Sequence, residues 1–152
     1  MRALIQRVSS ASVSVDGELL GEIGAGLVVL LGVGRGDGDA HAAKLAGKIA
    51  QLRVFDGDSG RMDRSLVDVG GGALCVSQFT LYGDVRRGLR PSFTDAAEPA
   101  DGERLYELFC RELAGYDVPV ARGRFGARMS VALVNEGPVT LLLEASERPE
   151  MG

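Results

Sequence analysis

The chain of 152 residues contains a single histidine, and this shortage bears on several kinds of active site. The histidine, His41, falls near the start of a predicted helix, on the side opposite the apolar residues of that helix. This position predicts a solvent-facing side chain. A catalytic triad built on histidine and a metal site ligated by histidine are therefore both strongly disfavoured.

Cysteine is almost as scarce as histidine. Cys75 lies in an apolar run and Cys110 in a helix-like segment. Two such residues make neither a disulfide framework nor a metal cluster, and they are typical of reduced, buried thiols in a cytosolic protein. We therefore expect an active site with no metal and no cofactor.

Long apolar runs are also missing. The longest, residues 27–31, is much too short to cross a membrane. Residues 1–15 lack the unbroken apolar stretch of a signal peptide. The sequence predicts a cytoplasmic protein with no membrane partner.

The glycine-rich segment GVGRGDGDA, residues 32–40, does not match a phosphate-binding loop. The dinucleotide-binding pattern requires glycine at its first, third and sixth places, and the sixth place here is Asp37 or Asp39. No Gly-Lys-Ser/Thr follows the segment. It predicts a flexible turn in which Asp39 caps the next helix.

The charge of the chain is slightly negative overall but unevenly placed. A net charge of −4 argues against a general nucleic-acid coat protein. Yet Arg86, Arg87 and Arg90 share one short loop, and a second basic stretch spans residues 122–128. These arginines are either part of a phosphate-binding surface or solvated loop residues, and charge alone leaves both interpretations open.

Hydrophobic periodicity predicts the elements of one domain. Apolar residues at three- and four-residue spacing predict helices over residues 39–55 and 100–116. Alternating or continuously apolar segments predict strands over residues 2–15, 18–23, 27–33, 73–76, 119–121, 128–134 and 139–144. The order β-β-β-α-β-α-β-β-β, with hairpins at both ends, indicates a mostly antiparallel α+β fold. We expect a single domain over residues 1–145 and a polar C-terminal tail over residues 146–152.

Two segments are candidates for chemistry. Ser77, Gln78, Phe79 and Thr80 follow a buried strand and offer hydroxyls, an amide and an aromatic face, although a strand end leading into a loop explains them equally well. Residues 135–140, NEGPVT, place Gly137-Pro138 in a tight connection between two predicted strands. Such a bond is a candidate cis peptide whose carbonyls form a rigid wall, and an ordinary hairpin turn is the alternative.

Four segments of the sequence resemble the D-aminoacyl-tRNA deacylase family, in the same order and spacing: MRALIQRV, SQFTLY, RGLRPSF and NEGPVT. The resemblance covers essentially the whole chain. It implies the fold of that family and a homodimer in which the Gly-cis-Pro element of one subunit enters the active site of the other. Gly137 and Pro138 would then reject L-aminoacyl groups and admit D-aminoacyl groups, and glycine, which has no side chain, would also be admitted.

The resemblance also implies roles for other residues. Ser77 to Thr80 map onto the catalytic pocket, in which backbone N–H groups near Phe79 and Thr80 hold the oxyanion and the 2′-OH of the terminal adenosine assists water. Arg7 matches an arginine that braces the Gly-Pro element, and Met129 would line an adenine pocket.

Several alternatives stay open beside these implied roles. Ser77 or Thr80 is the nucleophile in an older type of mechanism, although neither has a visible base. Arg7 is otherwise a surface arginine at a strand edge. The whole protein is otherwise a related L-selective proofreader, or a dimeric tRNA-binding module without activity.

Overall fold

A computed structural model describes residues 1–146 of the chain, and its elements follow the order β-β-β-α-β-β-α-β-α-β-β. A 3-10 helix (Phe79–Tyr82) stands between the sixth strand and the third helix. The elements are β1 (Arg2–Val15), β2 (Glu18–Ile23), β3 (Gly26–Gly32), α1 (Asp39–Gln51), β4 (Phe55–Asp56), β5 (Met62–Arg64), α2 (Leu66–Val69), β6 (Gly72–Ser77), α3 (Pro99–Ala114), β7 (Val120–Arg122) and β8 (Ser130–Glu144).

Strand β1 organises the main sheet because it pairs with three other strands. It is antiparallel to β2, β3 and β8, while β3 and β6, and then β6 and β7, pair in parallel. A separate hairpin joins β4 and β5. Four of the six pairings are therefore antiparallel, and the predicted α+β class is confirmed. The two parallel pairings run from β3 through β6 to β7 at one edge of the sheet.

The sheet is buried on both faces, which explains the continuous apolar character of β3. Alternate residues of β3 and β6 point to opposite faces. One face, with Leu27 and Cys75, packs against α1 and α3 through residues such as Ile49 and Phe109. The other face, with Leu74, forms a smaller cluster. The two cysteines are free and buried, as predicted.

The first helix differs from its prediction at both ends. Its N-cap is Gly38 rather than Asp39, and the Nδ1 of His41 accepts a hydrogen bond from the Gly38 N–H at 2.9 Å. The predicted solvent-facing position of His41 is wrong, because this capping contact leaves only 13% of the side chain exposed. The helix ends at Gln51 rather than at residue 55, since Phe55 enters the core from the extended strand β4.

The last strand shows the largest correction. Residues 135–138 were predicted as a turn between two strands, but β8 runs unbroken over fifteen residues. It pairs with β1 before and after residues 136–139, which have no register partner, and the register shifts on both sides of Val8, opposite Asn135. The Gly137–Pro138 bond is cis, and it lies within this strand.

Several smaller features complete the fold. The hairpin of β4 and β5, the short helix α2 and the 3-10 helix were not predicted. No helix among residues 1–146 is long and apolar enough to cross a membrane. The predicted tail lies almost entirely outside the described residues, so its boundary stays a prediction.

Candidate functional site

The segment Ser77 to Thr80 begins where the parallel strand β6 leaves the core. The Gln78 N–H donates to the Leu31 carbonyl at 2.7 Å and so extends the pairing with β3 by one residue. The chain then turns into the 3-10 helix. Arg2 of β1 fixes the position of this helix, since its Nη1 donates to the Leu81 carbonyl at 2.8 Å. The segment is thus a fixed part of the sheet edge rather than a free loop.

Two backbone N–H groups of this segment have no acceptor. Phe79 and Thr80 occupy the first two positions of the 3-10 helix, where no intrahelical carbonyl is within reach. Within residues 1–146 neither N–H donates to any other group, whereas the next N–H, that of Leu81, donates to the Gln78 carbonyl at 3.3 Å. Paired, unengaged N–H groups of this kind suit a negatively charged oxygen.

The side chains of the segment carry no evident general base. The Gln78 amide donates to the Thr80 hydroxyl. Among the described residues no carboxylate or imidazole bonds to the Ser77 or Thr80 hydroxyl. The one histidine instead caps α1. The arrangement therefore lacks the base that would activate a serine or threonine nucleophile.

Two cavities open on either side of Phe79. One, of about 240 Å³, is lined by Ser77, Gln78, Phe79 and Met129, so Met129 lies at the same cavity as this segment. The other, of about 410 Å³, is more apolar and is lined by Phe79 together with Phe93 and Phe125. Neither Phe93 nor Phe125 was predicted as a site residue, although Phe93 is the last residue of the RGLRPSF segment.

The loop that carries the predicted tRNA-binding arginines returns to the same place. Asp84 and Ser92 bridge its two ends. Arg86 is already occupied, because its Nη2 lies 2.7 Å from the Asp84 carboxylate. Hydrogen bonds from Arg86 lower the pKa of Asp84 from 3.8 to about 2, so the carboxylate is ionised at neutral pH. Arg87 and Arg90 are exposed, and neither makes an ion pair among residues 1–146.

Tyr82, the last residue of the 3-10 helix, packs against Arg2. The Arg2 guanidinium lies 4.5 Å from the centre of the Tyr82 ring. Burial, followed by the negative charge of Asp37, raises the pKa of Tyr82 to about 12. The phenol therefore stays neutral at physiological pH and serves as packing rather than as a base.

Gly137 and Pro138 lie against Arg7. The Arg7 side chain is buried, with 6% of the residue exposed, so it is not the surface arginine of the alternative interpretation. Its Nε lies 2.6 Å from the Glu136 carboxylate and 3.1 Å from the Glu136 carbonyl oxygen. A Cβ added to Gly137, whose φ is +122°, would lie 2.8 Å from Nη2 of Arg7. Arg7 and Gly137 are thus in tight contact.

Within one protomer the two predicted halves of the site are far apart. Strand register aligns Ser77 with Leu31, Leu31 with Ala3 and Ala3 with Leu143. Ser77 and Gly137 are thus separated by three strand spacings across the sheet and by six residues, about 20 Å, along β8. The structure brings Met129 to the Ser77 segment and Arg7 to Gly137, and it leaves the two groups apart.

The free side of β8 is unusually apolar for a surface. Among residues 1–146 this strand pairs only with β1, so its other edge is open. Val134 and Leu142 are 57% and 56% exposed, and Leu141 is 41% exposed. Exposed apolar side chains along an unpaired strand are typical of an interaction surface.

Metal ligation has no visible basis here, since residues 1–146 contain no group of three or more His, Cys, Asp or Glu side chains suited to an ion. The candidate site consists of backbone N–H donors, two cavities and the arginine loop.

Comparison with known proteins places this geometry in a family. Residues 4–144 match the model of the family described as D-Tyr-tRNA(Tyr) deacylase. A D-aminoacyl-tRNA deacylase of Cereibacter sphaeroides is 59% identical over 95% of this chain and 100% of its own length. The protein of the same name from Roseiflexus castenholzii is 60% identical over 96% of this chain and 93% of its own.

Two solved structures share the fold of this chain. One, described as the c-Myc DNA unwinding element binding protein, has a TM-score of 0.90 and 39% identity, and the match covers 96% of this chain and 99% of that one. A probable eukaryotic D-amino acid tRNA deacylase, at 21% identity, has a TM-score of 0.78 over 93% and 97% of the two chains and shows the same fold. The chain described here belongs to the D-Tyr-tRNA(Tyr) deacylase family.

Proposed function

We propose that this chain hydrolyses the ester bond between a D-amino acid and the 3′ end of its tRNA. The products are free tRNA and the D-amino acid, so the reaction is a proofreading step of translation. Family membership over residues 4–144 supports the reaction type. The observation that carries the proposal is the pair of N–H groups of Phe79 and Thr80, which donate to no other group within residues 1–146, in a segment whose Ser77 and Phe79 line two cavities.

The chemistry needs only these donors, water and the substrate. Water attacks the ester carbonyl carbon, and the negative charge that develops on the carbonyl oxygen is held by the N–H groups of Phe79 and Thr80. The bond to the ribose 3′-oxygen then breaks, and that oxygen takes up a proton. One such donor lowers the barrier by roughly 3 kcal/mol. The neighbouring 2′-OH of the substrate assists the water, which fits the lack of a base beside Ser77 and Thr80.

We propose that the two cavities lined by Phe79 bind different parts of the substrate. We place the terminal adenine in the cavity lined by Met129, with the ester carbonyl above Phe79 and Thr80. Phosphates of the acceptor end then pass along the loop of Arg87 and Arg90, whose charges are available. This arrangement supports a tRNA partner on a protein that is acidic overall.

Selection between D- and L-aminoacyl groups is assigned to Gly137 and Pro138 of a second subunit. Ser77 and Gly137 lie too far apart in one protomer to touch the same aminoacyl group, which favours a homodimer with shared sites. The open edge of β8, with Val134 and Leu142 exposed, is the surface we assign to that contact. The Gly137 element would occupy the space that an L side chain requires, while glycine passes unhindered.

One experiment separates this function from its alternatives. Single-turnover hydrolysis is measured for D-tyrosyl-tRNA, L-tyrosyl-tRNA and glycyl-tRNA. We expect rapid cleavage of the D-aminoacyl and glycyl substrates and little cleavage of the L-aminoacyl one. Preference for the L-aminoacyl substrate would identify an L-selective proofreader, and binding without cleavage of any substrate would identify a non-catalytic tRNA-binding module.

A further inference from the structure

Arg7 is the one charged side chain that is buried among residues 1–146. A buried guanidinium is costly unless its charge is compensated and its donors are bonded. It is satisfied here from two directions. Strand β8 supplies the carbonyl and the carboxylate of Glu136, and the segment that follows α1 supplies a second set of acceptors.

The second set comes from the start of the β4–β5 hairpin. Nη1 of Arg7 donates to the Val54 carbonyl at 2.8 Å and to the Asp56 carboxylate at 3.4 Å. Asp56 is 55% exposed on the side chain, so its charge stays hydrated while one oxygen faces the buried cation. The Arg7 side chain therefore links the hairpin to β8.

We propose that Asp56 is a positioning residue for stereochemical selection, acting through Arg7 on Gly137. Nη2 of Arg7 is the atom closest to the position that a Gly137 Cβ would take. A shift of the guanidinium therefore changes the space beside Gly137 directly. The inference rests on the proposed function, in which Gly137 excludes L side chains.

Asp56 and Glu136 do not contribute equally to this arrangement. Glu136 is the neighbour of Gly137 in the chain, so it moves with the element that has to be held. Asp56 and Val54 belong to another part of the fold, and they fix Arg7 relative to the core. Of these two acceptors only Asp56 carries a charge. Without the Asp56 carboxylate, Arg7 would keep its contacts with Glu136 of β8 and, on the side of the hairpin, only the hydrogen bond to the neutral Val54 carbonyl.

The test compares Asp56→Asn with Asp58→Asn, a matched change two residues further along. Asp58 pairs with Arg64 at 3.0 Å and, in the described structure, not with Arg7. The quantity measured is the ratio of D- to L-tyrosyl-tRNA hydrolysis rates, since a purely structural role would lower both rates together. We expect Asp56→Asn to reduce this ratio on the order of fivefold, the size of a partly exposed ion pair, and Asp58→Asn to leave it unchanged.

Asp56→Glu is the second variant. It keeps the negative charge at position 56 and so tests the inference if Asp56→Asn does not fold. Its ratio should lie between those of the parent and of Asp56→Asn. A D-selective parent whose ratio is unchanged in both Asp56 variants would overturn the inference and leave the proposed function intact. A parent with no D-selectivity would instead overturn the proposed function itself.

Discussion

The ring of Phe93 meets the ring of Phe79 edge-on, with their centres 5.0 Å apart. Phe79 belongs to the segment with free N–H groups, and Phe93 ends the loop that carries the arginines. An aromatic pair of this geometry contributes about 0.5–1.5 kcal/mol beyond its buried area. The contact therefore holds the arginine loop next to the segment that we propose as catalytic.

Removing the available charges of this loop should weaken tRNA binding. Each phosphate contact contributes about 0.7–0.9 to the slope of log affinity against log salt concentration. We expect Arg87→Ala and Arg90→Ala each to lower the slope by about this amount. Arg86→Ala should have a smaller effect, because Arg86 already pairs with Asp84. Binding titrations between low and physiological salt give the slopes, with Arg111→Ala, near the end of α3 opposite Pro99, as the control.

Loss of the hydroxyls should not abolish the reaction. Neither Ser77 nor Thr80 has a base to make it a nucleophile, so Ser77→Ala and Thr80→Ala should each retain measurable single-turnover hydrolysis of D-tyrosyl-tRNA. The Thr80 variant also releases the Gln78 amide from its partner, and we expect it to be the slower of the two. Complete loss in Ser77→Ala, together with a trapped acyl-enzyme in rapid quench of the parent, would instead establish covalent catalysis.

A methyl group at position 137 should be poorly tolerated. It would lie 2.8 Å from Nη2 of buried Arg7 and 3.0 Å from Cγ2 of Val139, in a backbone conformation that L residues rarely adopt. We expect Gly137→Ala to lose activity on D-aminoacyl and glycyl substrates alike. Its free energy of unfolding should be about 1–3 kcal/mol lower than that of the parent. Gly17→Ala is the control, because Gly17 also has a positive φ but has open space around it. An unaffected Gly137→Ala would show that the contact with Arg7 is not critical.

A charge among the exposed apolar residues of β8 should dissociate the homodimer that we propose. Light scattering of the parent at micromolar concentration should give twice the chain mass of 16.0 kDa. Leu142→Glu places a charge on the exposed apolar strand and should yield inactive monomers, whereas Leu19→Glu, equally exposed on β2, should remain dimeric. A 16.0 kDa parent that still cleaves D-tyrosyl-tRNA would refute the shared site.

Much of the fold follows from local patterns in the sequence. Strand β2 was predicted with its observed bounds, because Asp16-Gly17 marks a hairpin turn after which the chain returns as a second strand. The continuous β8 was not predicted, since Gly-Pro usually ends a strand. Pairing with β1 on both sides of residues 136–139 keeps the strand extended through Gly137 and Pro138, and a tertiary contact of this kind leaves no local signal.

The site was less accessible from the sequence than the fold. The Ser77 and Gly137 segments were identified, partly on family resemblance, but the partners of Arg7 were not. Asp56 lies 49 residues from Arg7 along the chain, and only the folded hairpin brings the two together. His41 was placed in solvent because helical periodicity describes a helix surface and not the turn before it, where Gly38 lies.

The open edge of β8 has a consequence for the newly made chain. Unpaired N–H and C=O groups beside exposed Val134 and Leu142 form a template to which another extended segment can add. Pro138 has no N–H and interrupts this row of donors, so that the fifteen-residue edge is divided into two shorter stretches. The same residue that we assign to stereochemical selection would thus also hinder the addition of a second extended segment at this edge.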